Sequence, residues 1–198
     1  MTSNESFAHW IIRDTNWSRG TVPMASVLLA LSPFLRRGLG KGAFAIFLQL
    51  PLYMVHQYEE HGHGAFKAYA NEKILRGRAT ATDGDIFVIN IVGVWVADLI
   101  ALYRARSRGP AAGLLAPYLS LTNSLVHLIP ALKSRTYNPG AWTAGLLLLP
   151  VGLYGAIASA REGHTSTRDH IRALVGGILI HVLTAAIIFK SKPGPGER

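Results

Sequence analysis

The sequence predicts an all-α integral membrane protein, a helical bundle of five spans, or six if a short N-terminal run also crosses. Three observations carry this. Of 198 residues, 49% are hydrophobic and only 16% charged, a balance that favours a membrane protein over a soluble domain. Five apolar runs approach the ~20 residues that a ~30 Å hydrocarbon core requires. The basic residues cluster between those runs, at Arg36-Arg37, Arg104/Arg106/Arg108 and Lys133/Arg135, where membrane-flanking anchors belong. The net charge of +9 does not point to nucleic acid, because the basic residues bracket apolar segments instead of lining one stripe. There is no cysteine, which excludes disulfides, thiolate metal sites and a cysteine nucleophile.

The elements follow in order. Residues 1–21 form a polar segment in which Trp10-Ile11-Ile12 is too short for a signal-peptide core. Residues 22–41 combine a short apolar run, 22–35, with a basic loop. That run contains Pro33 and reaches only ~21 Å as a helix, so it reads as a short span, a re-entrant piece or an interfacial helix. The bundle proper covers 42–190, with spans at 42–58, 86–103, 111–132, 141–160 and 171–189. Asn138-Pro139-Gly140 precedes the fourth span, with Asn138 placed to cap it and Pro139 at the first helical position. Ser166 or Thr167 is placed to cap the fifth. Gly152, Ala156 and Ala160 make a small-residue stripe that suits close helix approach. The run Lys192-Pro193-Gly194-Pro195-Gly196 cannot continue a helix, so 191–198 reads as a disordered tail.

The candidate site starts at the end of the first span, with His56-Gln57-Tyr58-Glu59-Glu60. Ionisable groups beside a bilayer are costly and mark functional sites by default. His56 can converge with Glu59 and Glu60, which lie three and four residues on. Alternating span directions place Asn90, Asn123, His127, Thr143, His181 and Thr184 in the same half of the membrane as His56. Independently placed polar residues would scatter over both halves. Asp98 is the exception, and reads as an internally paired structural carboxylate. Asn123 and His127 share a helix face, and a His/carboxylate face opposite an Asn/His face is how bundle cores build metal sites. His56, Glu60, His127 and His181 are the candidate ligands, and Zn or Fe the candidate divalent metal. Glu59, Glu60, Asn90 and Asn123 are the candidate catalytic groups. The two glutamates lie ~100° apart on a helix, so one binds metal while the other acts as acid/base or orients a ligand. His61 and His63 are flanked by glycine and read as a solvated loop. Lys133, Arg135 and Tyr137 lie just past the same membrane end; beyond ordinary anchoring, they could clamp an anionic head group.

Four elements in this order, His56 to Glu60, Asn90 before Trp95, Asn123-Ser124-Leu125-Val126-His127, and Arg135-Thr136-Tyr137-Asn138-Pro139-Gly140 followed by Thr143 and Pro150, resemble the HXXEE domain family. The resemblance covers roughly residues 42–160, with the last span included, and leaves out the first forty. It implies a small multi-span membrane enzyme whose motif residues map onto His56, Glu59, Glu60, Asn90, Asn123 and His127.

The reading that follows is a membrane-embedded, metal-dependent hydrolase or oxidoreductase acting on a lipid-like or hydrophobic small molecule. A metal-free isomerase or cyclase working by glutamate acid/base chemistry would instead be indifferent to chelators. A small transporter or binding protein would show solute flux without turnover. The Arg-rich short loops are expected on the cytoplasmic side.

Overall fold

The computed structural model describes residues 6–162 and 165–190. Among them every regular element is helical. After a short helix α1 (Phe7–Ile12) and tight turns through Gly20, the chain forms α2 (Thr21–Gly38). Helix α3 covers 41–61, two runs joined through Leu48, whose dihedrals remain helical. A short α4 (65–75) leads to α5 (Asp83–Arg108), α6 (Leu115–Ser134), α7 (Ala141–Arg161) and α8 (Thr167–Lys190). The expected tail at 191–198 lies outside the described residues.

Helices α5 to α8 are long and apolar enough to cross a membrane, consistent with an integral membrane protein. Their outer faces are apolar and exposed. Val92, Val96, Leu99 and Tyr103 line the outside of α5, and Leu179, Val182 and Leu183 that of α8, apolar faces of the kind that suit contact with lipid. The remaining expected span, α3, has comparable length but is more polar. Gln49, His56, Gln57, Glu60 and His61 are all buried, so its polar groups face the bundle. Helix α2 packs against the second half of α3 and turns Met24, Val27, Leu31 and Phe34 outward. At eighteen residues it reaches ~27 Å, longer than the run 22–35 suggested, because it continues through Pro33 and the basic pair.

Close approach of α7 to α6 rests on glycine. A Cβ at Gly152 would come within 2.7 Å of Leu121 Cγ, and one at Gly155 within 2.7 Å of Pro117 Cγ. The buried stripe is therefore Gly152, Gly155 and Ser159; Ala160, expected in it, is exposed. The change from spacing four to spacings three and four follows the 3.6-residue turn. Capping also differs from expectation. Helix α7 begins after Gly140 rather than Asn138, because the Asn138 side chain is committed to His127. Ser166 does cap α8, in a reciprocal pair with Asp169. Thr82 and Asp85 make the same pair at the start of α5.

Asp98 departs from its expected pairing. It is 2% exposed, and neither carboxylate oxygen has a hydrogen-bond partner. Arg106, two turns further along α5, donates instead to the carbonyl of Gly38 at 2.7 Å, capping the end of α2.

Candidate metal centre

Two helices bring the central groups together. His56 and Glu60 are one turn apart on α3, and His127 faces them from α6. Glu60 Oε2 lies 3.4 Å from His56 Nε2, and Oε1 lies 3.4 Å from His127 Nε2. All three residues are buried. One ligand atom from each falls within 4.8 Å of the other two, so the three could hold a metal ion. The imidazole rings meet edge to face, with centroids 4.9 Å apart. Gly140 closes the site from the α6–α7 turn. Its φ of 92° suits glycine, and a Cβ there would lie 2.8 Å from His56 Cε1 and 2.9 Å from His127 Cε1.

The outer partners of the two rings decide which nitrogens face inward. Asn138 Nδ2 donates to the backbone carbonyl of His127 at 2.9 Å. That fixes the amide, so Asn138 Oδ1 accepts from His127 Nδ1–H at 3.0 Å. Glu59 settles the other ring. It accepts four hydrogen bonds: from Tyr137 OH, from the backbone N–H groups of Trp142 and Thr143, and from the Thr143 hydroxyl at 2.5 Å. With its proton given to Glu59, Thr143 Oγ1 accepts from His56 Nδ1–H at 2.9 Å. In their neutral forms both imidazoles therefore turn an unprotonated Nε2 toward Glu60. Two lone pairs and a carboxylate face one another, and the donor that reaches them is the Asn123 amide, on His56 Nε2 at 2.9 Å. A proton answers one contact at a time, whereas a divalent cation answers all three.

Glu59 also does what a capping residue would do. Its carboxylate binds the first free N–H groups of α7, where the helix dipole favours negative charge. Tyr137, in the turn outside the membrane-spanning helices, is pushed up to about 12 by partial burial and by its bond to Glu59.

Other predicted residues stand at defined distances from the triad. Asn123 Nδ2 donates to His56 Nε2 at 2.9 Å. His181 is one step further back, with Nε2 3.1 Å from Asn123 Oδ1 and Nδ1 2.8 Å from the Gly177 carbonyl. Asn90 is behind α3. It accepts from Gln57 Nε2 at 2.9 Å and donates to the Ile86 carbonyl, while Gln57 Oε1 accepts from Trp95 Nε1 at 2.6 Å. Asn90 lies within a widened, π-helical stretch of α5 (Val88–Trp95). Lys133, in the last turn of α6, and Arg135, just past its end, are exposed, with no ion pair among the described residues. A cavity of about 60 Å³ adjoins Glu60. Its polar end holds Asn90, Asn123 and His181, and its walls include Ile89, Leu119 and Ile180.

Three contributors escaped the sequence reading. Gln57 stands in the motif with no role assigned to it, and Asn138 is expected as a helix cap. His61 is the clearest correction. Instead of lying in a solvated loop it is 1% exposed, because Trp17 covers it at a ring distance of 5.2 Å. His63 is exposed, as expected.

Among curated proteins and among solved structures none matches the chain. The profile of a family described as protein of unknown function with HXXEE motif matches residues 47–155. That is more than half of the chain and includes His56, Glu59, Glu60 and His127, so this protein belongs to the HXXEE family.

Proposed function

We propose that this protein is a membrane-embedded enzyme that holds a divalent metal at His56, Glu60 and His127 and acts on a lipid-like substrate. The observation that carries the reading is the inward-facing set of two imidazole nitrogens and one carboxylate, with both tautomers dictated from outside by Asn138 and by Thr143–Glu59. Two histidines and a carboxylate suit Zn²⁺ in hydrolases and Fe²⁺ in oxygenases. The ion would supply Lewis-acid chemistry in the first case and dioxygen chemistry in the second.

The chain's own residues have separate tasks in this reading. Glu59 and Thr143 orient His56, and Asn138 orients His127. Asn123 now uses one amide N–H on the His56 lone pair; a cation at that nitrogen frees the N–H for a substrate oxygen. The cavity beside Glu60 has room for about two waters, which fits the reacting end of a substrate rather than the whole of it. Helix α8 packs chiefly on α6, so the apolar remainder would enter from the bilayer between α5 and α8. Lys133 and Arg135 would meet an anionic head group at the same membrane end. We place the Arg-rich short loops in the cytoplasm, so that the site opens toward the outer face.

Elemental analysis of the purified protein tests this. A stoichiometric divalent ion is expected, absent from the His56→Ala/His127→Ala variant. A metal-free wild-type protein with its fold intact would overturn the reading.

A further inference from the structure

An open cleft of about 850 Å³ lies at the other end of the bundle, between the α2–α3 turn and the end of α7. Three cations from three chain segments line it: Arg36 from the last turn of α2, Lys41 from the first turn of α3 and Arg161 from the last turn of α7. All three are exposed, and among the described residues none of them makes an ion pair or a side-chain hydrogen bond. Arg106, at the same end, is by contrast engaged by the Gly38 carbonyl. The position of Lys41 sharpens the imbalance, because the helix dipole opposes a cation in the first turn.

Glu162, the acid in the lining, is already committed. Its Oε2 accepts from Gly42 N–H at 2.9 Å. The carboxylate fills a notch that glycine leaves open, since a Cβ on Gly40 would lie 2.5 Å from Oε1 and one on Gly42 2.6 Å from Oε2. This clamp ties the start of α3 to the end of α7 and holds Lys41 and Arg161 on one cleft. Three cations face one engaged carboxylate, so the cleft keeps an excess of positive charge.

Below the charges the walls are apolar. Ile157 and Tyr154 lie four and seven residues before Arg161, on one face of α7, and Phe44 lies three residues after Lys41 on α3; all three line the cleft. Ile157 and Tyr154 are about half-exposed, which leaves this wall open toward lipid. Each helix thus presents a charge at its end and an apolar group one turn deeper, the order of head and tail in an amphiphile.

We infer that this cleft binds an anionic phospholipid, with its phosphate on Arg36, Lys41 and Arg161 and its acyl chains along Phe44, Tyr154 and Ile157. Basic pockets between membrane helices bind such head groups, and guanidinium groups suit phosphate oxygens. The occupant is not the molecule acted on at the metal centre. Thr143, bonded to Glu59 beside that centre, and Arg161 stand at opposite ends of α7, about 27 Å apart along the helix. The inference therefore does not depend on the metal reading.

Native mass spectrometry of the full chain in detergent, with added lipid, tests it. Wild type is expected to bind phosphatidylglycerol at least about 10-fold more tightly than phosphatidylcholine, whose head group has no net charge. Arg36→Gln/Lys41→Gln/Arg161→Gln should weaken phosphatidylglycerol binding by about 100-fold, at roughly 5-fold per charge. Arg104→Gln/Arg108→Gln/Arg168→Gln, which removes three exposed arginines outside the cleft, should match wild type. Glycerol phosphate, the same anion without chains, should bind at least about 10-fold more weakly than the lipid, because it buries no acyl surface. Equal binding of the two lipids overturns the inference. So does an equal loss in both triple variants, which would reduce the cleft to diffuse surface charge. Glycerol phosphate binding as tightly as the lipid overturns it in favour of a free phosphate site. If the cleft variant does not fold, Arg161→Gln alone should still weaken lipid binding about 5-fold, and unchanged affinity there is equally fatal.

Discussion

Two carboxylates are buried in this bundle toward opposite ends of the spans, and their surroundings are opposites. Glu60 has three imidazole nitrogens within 3.4 Å. Asp98 has no partner for either oxygen. The end around Glu60 is knit by side-chain hydrogen bonds between helices distant in sequence: His56 to Thr143, Asn123 to His56 and to His181, Gln57 to Asn90. The other end is closed mainly by small residues, as where a Cβ on Gly113 would lie 2.6 Å from the Ala101 carbonyl, with Glu162 reaching Gly42 N–H at 2.9 Å. Intramembrane charge is equally costly at either end, but only one end has assembled groups that answer it. The contrast separates a polar centre that could hold a metal ion from a polar residue that the packing merely tolerates.

The sharpest way to break this contrast is to neutralise each carboxylate in turn. Glu60→Gln should weaken divalent-ion binding by more than about 100-fold, because losing even a residue that orients a ligand costs about 10–100-fold. Asp98→Asn should leave that affinity unchanged. Equal losses in the two, measured by competition with a chromophoric chelator, would erase the distinction. Next in size is Gly140→Ala. A left-handed backbone and a Cβ against both imidazoles should cost about 3 kcal/mol, read as a lower unfolding midpoint in detergent. Unchanged stability would mean that the turn does not clamp the rings.

Thr143→Val breaks the link from His56 to Glu59. We expect about a 10-fold weaker metal affinity with the helical content preserved; wild-type affinity would remove Glu59 and Thr143 from the orienting role. For stability alone, Asp98→Asn should stay within about 1 kcal/mol of wild type, toward gain if anywhere, since an unpartnered buried charge contributes nothing favourable. A loss of several kcal/mol would reveal a partner for Asp98.

The smallest effect concerns Tyr137. Its folded-state value, about 12, lies above the ~10 of a free phenol. Its bond to Glu59 therefore contributes fully below about pH 10 and is lost as pH rises toward about 12. Tyrosinate absorbance of wild type minus Tyr137→Phe should show that late titration, and a midpoint near 10 would contradict it.

Much of the triad was legible because its signals are local or periodic. A four-residue spacing on a helix puts His56 beside Glu60, and alternating span directions put His127 at their depth. The same reasoning found the helices of the bundle to within a few residues. It failed where a long-range partner overrode a local pattern. Asn138 before Pro139-Gly140 has every local mark of a helix cap, yet the capping carboxylate is Glu59, 84 residues from Thr143. His61 sits in a glycine-flanked, polar stretch that reads as solvated; Trp17, more than forty residues away, packs on its ring and helps to bury it. Asp98 invited a basic partner, but Arg106 finds the end of α2 first. Neither the period of a helix nor the depth of a span encodes such pairings.

The cap over His61 also dictates an order of assembly. Thr15 is anchored to a carbonyl 46 residues later in the chain and Asp14 to a side chain 69 residues later, while Trp17 leans on Phe87. These contacts close long loops and cannot form before α3 and the start of α5 are in place. A segment that precedes the bundle in the chain is thus among the last to be fixed. Until it settles, the imidazole beside Glu60 lacks its Trp17 cover and remains open to water.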